Sequence, residues 1–517
     1  MKRLLTLALA LIMLFALTAC GETAVTPSPT GAPSTAQPAD AANTPEPLAD
    51  PTEIVVFVYG YSPKLDGLGA VLDAINAISR EEINVVHDLV VNNSSAYVEQ
   101  MNLMLAAQDD VDLFWSGTVR GYAAQAARGQ LTPLDDLVDA YGQGIRAVLG
   151  DEYTEVARTT DGHYYGLISQ RDHSSYLGLL VRKDFADQYS WDTGEVTGGA
   201  QLTALFADMR ADLPAEMHVT APITATESVG RNMMSLAEFD RYDPLGTIDL
   251  MGLSSYDSTT VALQLDNPNY VNACALSREW YAAGYMPSDV ATTTLTGSEM
   301  IKSGVLASEL GAINSASRNR YSGMAGNELV EIRCSTTSAA PGLHFLWSIP
   351  SHSEHPVEAM KFLNLMFASA EIENLYCYGI EGVDWEWAQD GKHIQYIGGG
   401  TVDDVSFYIG ANFAWGNQFV SHIMLGDDLD VWERMEKDNR EGKKSVGMGF
   451  SYDPSGMKTE YASITNVLDQ YMKALETGTV SADDILDEFR RKMIEAGAED
   501  VIADKQAQFD AWLAAKS

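Results

Sequence analysis

The run Ile54-Val55-Val56-Phe57-Val58, broken at Tyr59-Gly60-Tyr61-Ser62-Pro63, sets the reading of this 517-residue chain. A short apolar run bounded by Gly and Pro predicts a buried strand. The next sixty residues repeat the theme. Leu65, Leu68, Leu72 and Ile75 share one stripe at helical spacing, and Ile83 to Val91 is again extended. Asn92-Asn93-Ser94-Ser95 offers caps for a helix that turns Tyr97, Met101, Met104 and Leu105 inward, and Val111-Asp112-Leu113-Phe114-Trp115 closes the series. Strand–helix–strand–helix–strand predicts an α/β fold with a parallel sheet flanked by helices. Such sheets bind ligands beyond the carboxyl ends of their strands. Two of those ends, Tyr59-Gly60-Tyr61 and Trp115-Ser116-Gly117-Thr118, carry aromatics.

Further along, Gly121 to Tyr141 is helical with a turn at Gly129-Gln130-Leu131-Thr132-Pro133. Asp161-Gly162-His163-Tyr164-Tyr165-Gly166-Leu167-Ile168 predicts a turn and an extended run, Tyr176 to Val181 a strand, and Arg182-Lys183-Asp184-Phe185 a helix start. Residues 191–251 predict long loops. Tyr270 to Tyr281 is a helix stopped by Gly284 and Pro287. Val305 to Ile313 predicts a strand returning to the first sheet, and Phe345 to Ile349 another strand. Pro356 opens a helix where its missing N–H costs little, with Val357, Met360, Phe362, Leu363 and Met366 inside. After Lys458 the tail is helical, with Ile464, Val467, Leu468 and Tyr471 on one helix and Ile485, Leu486, Phe489 and Met493 on the next. No internal repeat is evident.

The N-terminus has Lys2 and Arg3, an apolar run from Leu4 to Leu17, and small residues before a cysteine, the layout of a secretory signal too short for a mature membrane span. Leu17-Thr18-Ala19-Cys20 resembles the bacterial lipobox, which implies that Cys20 receives lipid and becomes the first mature residue. From Gly21 to about Asp50 the chain is Pro, Thr, Ala, Ser and Asp with little to bury, and predicts a disordered tether.

Composition narrows the function. Hydrophobic residues at 46% and charged residues at 20% suit a globular protein of two or three domains. The formal charge of -39 repels phosphate backbones, which argues against nucleic acid, and a covalent anchor suits it better than adsorption to anionic lipid. Cys274, Cys334 and Cys377 are widely spaced, which suggests buried thiols and leaves one disulfide open; no metal-ligand spacing is present. His352 and His355 stand three apart without a third ligand, so no metal or other cofactor is expected.

The order of segments resembles the solute-binding lipoproteins of bacterial ABC carbohydrate importers, the branch common in Gram-positive bacteria. The resemblance rests on Gln100-Met101-Asn102-Leu103-Met104-Leu105-Ala106 with Asp112, on Gly162-His163-Tyr164-Tyr165-Gly166-Leu167, and on Val181-Arg182-Lys183-Asp184. It rests further on Pro356 to Asn364 and Tyr378-Gly379-Ile380-Glu381-Gly382. Its sharpest part is Gly449-Phe450-Ser451-Tyr452-Asp453-Pro454 with Lys458-Thr459-Glu460, which is similar to a C-terminal helical module without assigned function. The resemblance implies a type II periplasmic-binding fold of two hinge-linked lobes that close over a solute. It implies a first lobe at 51–165 and 293–345, a second at 166–292 and 346–455, and a helical segment at 456–517, behind a signal at 1–20 and a tether at 21–50. Implied partners are a carbohydrate, permease subunits and the membrane through Cys20; a monomer on the outer face is expected. The chain departs from relatives by reading Leu167-Ile168-Ser169-Gln170 where they carry Pro, and by placing Trp347 where they have a small residue, so the identity of the ligand stays open.

Sugar recognition uses flat apolar faces against the ring and fixed polar groups for its hydroxyls. The candidates are Tyr59, Trp115, Trp347, Trp385 and Trp415, with Ser116, Gln170, Arg171 and Asn417 as polar partners. Core packing competes for each tryptophan. Two other functions stay open: an extracellular glycan-degrading enzyme, or a peptide receptor of the same architecture. A structural surface lipoprotein without a small ligand is a third. No GxSxG, P-loop or HExxH is present, and among 72 acidic residues no carboxylate pair stands out.

Overall fold

The computed structural model describes residues 50–224, 232–236, 238–247 and 249–516. The expected signal, Cys20 and nearly all of the tether lie outside the described residues.

Strand Thr52–Gly60 is the centre of the first lobe. It pairs in parallel with Val85–Asn93 in unbroken register from Thr52↔Val85 to Gly60↔Asn93, and with Leu113–Ser116 on its other side. Helix Leu68–Ile83 connects the first pair, burying Val71, Ile75 and Ser79. It stops at Asn84, whose left-handed φ of 53° turns the chain straight into the next strand, and Ser79 Oγ donates to Val85 O at 2.7 Å. Asn is one of the few non-glycine residues that tolerates this region. Helix Tyr97–Ala107 comes next, burying Tyr97, Met101 and Leu105. The sheet's edge is closed antiparallel by Leu346–Ser348, with Trp347 opposite Trp115.

The second lobe is built on Ser174–Arg182, antiparallel to Ser308–Ile313, Leu329–Arg333 and Ser338–Ala339. Parallel bridges His218↔Leu306 and Pro222↔Leu310 add the segment before the cleft. The expected return of 305–313 to the first sheet is therefore corrected. The strand pairs with Ser174–Arg182 from Tyr176↔Ile313 to Val181↔Ser308, and Ile313 packs over Gly178, where an added Cβ would lie 2.0 Å from its Cδ1.

Two separate apolar cores draw the lobe limits. One gathers residues from Ile54 to Ile168 and from Leu343 to Trp415; the other gathers Tyr176 to Cys334 and Phe450 to Trp512. The expected lobe limits are corrected accordingly, with residues from 293 to Cys334 in the second core and Leu346 to Trp415 in the first. Helix Pro356–Ala368 packs Met360, Phe362, Leu363 and Met366 into the first core, with Pro356 in its first turn as expected. The C-terminal helices Lys458–Glu476, Ala482–Glu495 and Ala498–Lys516 are not a separate segment but a face of the second core. Tyr270 OH donates to Glu476 at 2.7 Å and Ser277 Oγ to Glu476 O at 2.9 Å, tying the first of them to helix Pro268–Ala282. Within 191–251, expected to be loops, Gly199–Asp212 is a helix that buries Leu202, Leu205, Phe206 and Met209. Cys274, Cys334 and Cys377 are free and buried.

Candidate functional site

Among the described residues the chain crosses between lobes three times, near 169–173, 335–343 and 426–446. Residues on the crossings are held by main-chain bonds rather than by packing alone. Gln170 N donates to Gly416 O and Gln418 N to Gln170 O, both at 2.9 Å, while Leu167 and Trp347 exchange bonds of 3.0 and 2.8 Å. Asn439, on helix Val431–Glu441, staples the first crossing to the third: its Nδ2 donates to Arg171 O at 2.6 Å and its Oδ1 accepts from His173 N at 2.9 Å. Asp172 reaches into the second lobe by accepting from Asn314 Nδ2 at 2.7 Å. His173 is buried with Nε2 2.8 Å from Ser169 O, and burial pushes its pKa down to about 4, so it is a neutral structural group.

At the carboxyl ends of the first sheet, Gly117 has φ 147°, and a Cβ there would sit 2.2 Å from His344 O. That close approach lets Arg120 fold back beneath the strand ends. Its guanidinium lies 4.9 Å from the Tyr59 ring and 4.6 Å from the Phe345 ring, and donates to Tyr59 OH and His344 O. Burial, then the hydrogen bond from Tyr61, raises the Tyr59 phenol above its ordinary range. Tyr59 OH is 3.1 Å from the OH of Tyr61, which is 46% exposed. Phe345 packs edge-on to Phe413 at 4.9 Å, and Arg171 lies 4.3 Å over Phe413. The partly exposed lip of the first lobe is thus Tyr61, Phe345, Phe413 and Arg171.

The tryptophans lie one layer below. Trp115, Trp347 and Trp415 are at most 1% exposed, with ring centroids 5.3 to 6.0 Å apart. Trp347 Nε1 donates to Ala414 O at 3.0 Å, and Trp415 stacks on Tyr376 at 4.0 Å with rings 7° from parallel. Ser116 is buried and bonded to Ser348 Oγ at 2.6 Å. Asn417 caps the next turn through Phe419 N, and its own N–H, with that of Gly416, is accepted by the buried carboxylate of Glu373 at 3.1 Å. Burial is the main cause that raises Glu373 to a pKa of about 7. Trp385 stands apart, on the hairpin Trp385–Trp387/Ile394–Tyr396 beside Trp387 and His422.

A cavity of about 300 Å³ opens between the lobes. Thr118 and His344 line it from the first lobe, and Arg241, Tyr242, Tyr256 and, just after the last crossing, Phe450 line it from the second. Arg241 donates to Ser338 Oγ and lies 5.8 Å from the Tyr256 ring. Aromatic faces, a guanidinium and amide groups around a cleft suit non-covalent capture of a polar ring. Asp243 is the single carboxylate that lines this cavity among the described residues.

Of the residues read from sequence, Tyr59, Trp115, Ser116, Gln170, Trp347, Trp415 and Asn417 come together as a buried floor; Arg171 reaches the lip; Trp385 does neither. Missed were Tyr61, Arg120, Phe345 and Phe413, each within five residues of a chosen one, and Arg241, Tyr242 and Tyr256. No group of three or more His, Cys, Asp or Glu is placed to hold a metal among the described residues. His352 Nε2 instead meets Asp109 O at 2.9 Å.

Two lobes, three crossings and an open cleft define a solute-binding architecture. The chain belongs to the family described as bacterial extracellular solute-binding protein, whose model matches residues 74–378. A second model, described only as a domain of unknown function, matches residues 446–514. The chain is 23% identical over 468 residues to a carbohydrate ABC transporter substrate-binding protein of Streptococcus pneumoniae, covering 89% of this chain and 91% of that one. It superposes on the crystal structure of the N-glycan transport solute binding protein of the same organism with TM-score 0.74 at 21% identity, covering 90% of this chain and all of that one. The complex of that protein with Man5GlcNAc gives 0.60 at 20% identity, covering 90% and 99%. A solute binding protein from Bifidobacterium longum infantis described as binding HMO gives 0.61 at 15% identity, covering 90% and 99%. These likenesses establish the type II solute-binding fold. No described helix is long and apolar enough to cross a membrane.

Proposed function

We propose that this chain is an extracellular receptor, lipid-anchored through Cys20, that captures an oligosaccharide between its lobes and delivers it to the permease of an ABC importer. The observation that carries this reading is the lip, Tyr61, Phe345 and Phe413 with Arg171, where Phe345 follows directly on His344 of the interlobe cavity. Aromatic faces stack on sugar C–H surfaces, and guanidinium groups bond hydroxyls without committing to a charged ligand. The carbohydrate transport named for the Streptococcus relative and the glycan complexes of the structural neighbour support the same cargo class. Closure about the crossings is the expected switching mode.

The glycan-degrading alternative is weaker. Glycoside hydrolysis ordinarily uses two carboxylates flanking the bond, and Asp243 stands without such a companion in the cavity lining among the described residues. The test is a thermal-shift screen of the full chain against mono- and oligosaccharides. A ligand at a hundred times its Kd adds about 2.7 kcal/mol of stability. A shift with one glycan class and an intact glycan afterwards is the expected result. A shift with breakdown overturns the receptor in favour of an enzyme, and a hit confined to peptides overturns the cargo. Palmitate incorporation that vanishes in Cys20→Ser tests the anchor.

A further inference from the structure

A second cavity, of about 460 Å³, lies on the far side of Phe450. It shares Leu343, Gly449 and Phe450 with the interlobe cavity, so the two are neighbouring chambers divided by one turn. One wall is the first-lobe helix Tyr122–Ala127 and the loop ending at Asp161; the other is Asp453, Gln508 and Trp512 of the C-terminal region. The divider is held from behind, since Phe450 packs on Phe509 at 5.2 Å and on Trp512 at 5.7 Å. The far end is closed by Trp512 Nε1, which donates to Arg158 O at 3.0 Å.

We infer that the C-terminal region, matched only as a domain of unknown function, supplies one wall of a second glycan subsite, which takes a branch of a neutral oligosaccharide whose stem lies between the lobes. This rests on the carbohydrate reading above. The size falls within the range of small-molecule sites, and the lining mixes aromatic faces with carboxylates, hydroxyls and an amide. Charge selects the ligand class. Arg158 is already paired with Asp135 at 3.0 Å and Glu155 at 2.7 Å, while Asp161 and Asp453 line opposite walls, each carboxylate also accepting from its own turn, Tyr165 OH and Ser455 Oγ respectively. An acidic sugar would meet carboxylates with no free cation among the described lining residues to offset them, whereas hydroxyls can donate to both.

The test measures binding of branched and linear neutral oligosaccharides, Man5GlcNAc and Man1GlcNAc among them, to the full chain by calorimetry. Ala127→Trp and, independently, Thr160→Trp place a large ring in the chamber from exposed positions. The expected result is a tenfold or greater loss for the branched ligand and less than twofold for the linear one. Hydrogen exchange on the unaltered chain gives a second readout: the branched ligand slows 450–453 and 508–512, and the linear one does not. Equal losses for both ligands, or full retention of the branched one together with unchanged exchange, overturn the second subsite alone. Silence of the unaltered chain toward every sugar overturns the carbohydrate reading and this subsite with it.

Discussion

Lys505 Nζ lies 2.8 Å from Asp249 Oδ2, and both side chains are out of contact with solvent. The ammonium also donates to Thr247 Oγ1 at 2.8 Å and Met251 O at 2.6 Å, so all three of its protons are placed. Tyr461 OH adds a bond of 3.1 Å to the same carboxylate. The pair fastens helix Ala498–Lys516 to the hairpin Met251–Leu253/Val261–Leu263 inside the second lobe. Removing one partner of a buried pair strands the other charge and costs about 3–5 kcal/mol. Lys505→Met is therefore expected to lower the melting temperature sharply, with Lys505→Met/Asp249→Asn recovering part of the loss; calorimetric melting of both checks this.

Trp115 and Phe413 separate floor from lip. Trp115→Ala opens a hole in the first core and is expected to cost about 3–5 kcal/mol. Trp115→Phe, which keeps an aromatic ring in the core, should leave glycan affinity within about threefold, while Phe413→Ala drops it tenfold or more with little change in stability. Titration calorimetry paired with denaturant melts distinguishes the two layers.

Two buried groups give opposite slopes with pH. Glu373 has its folded pKa raised to about 7, mainly by burial, so its contribution to stability is full below the ordinary carboxylate pKa and fades as pH rises through 7. His87 has its folded pKa lowered to about 3 by burial. Its Nδ1 donates to Asn76 Oδ1 at 2.7 Å and, with the buried ring neutral, its Nε2 accepts from Tyr376 OH at 2.7 Å. That contribution is full above pH 6.5 and is lost as pH falls toward 3. Glu373→Gln should remove the first slope, so that its melting temperature gains on the unaltered chain between pH 4.5 and 7. A melt series across that window reads the sign directly.

Gly449 has φ 94°, and a Cβ there would lie 2.2 Å from Val156 O in the opposite lobe. Gly449→Ala is expected to push the lobes apart and strain the turn that follows the last crossing, at a cost of about 1–3 kcal/mol. Gly284, also at positive φ but with open space at its Cβ, is the control. A larger radius of gyration for the first variant and not the second, by small-angle scattering, checks it.

Local pattern carried much of this fold. The alternation around Ile54–Val58 was legible because each element declares itself within about a dozen residues, and Pro356 marked its helix start. Sheet membership was not legible, since an apolar run such as Val305–Ile313 reads the same whichever partner it meets; the Ile313–Gly178 contact that decides it spans 135 positions. Burial depth was hidden for the same reason. Trp115 and Trp415 announce a place near the strand ends, but whether a ring faces solvent depends on what packs over it from far along the chain, Phe345 and Trp347 for Trp115 and Tyr376 for Trp415. Arg241 and Tyr242 fell in a stretch whose only strong periodicity, Gly199–Asp212, was itself missed.

The interleaving of the two cores also fixes an order of events at synthesis. The edge strand that covers Trp115 begins 230 residues after Ser116, with most of the second lobe encoded between. A chain emerging N-terminus first at 5–20 residues per second leaves the first sheet without that edge for roughly ten to fifty seconds. For that interval an unpaired strand and a bare tryptophan face the surroundings, a template for wrong pairing. The second lobe, too, waits for Trp512 near the C-terminus. Neither lobe closes from its N-terminal residues alone, so the nascent chain carries unpaired strand and uncovered apolar surface well into synthesis.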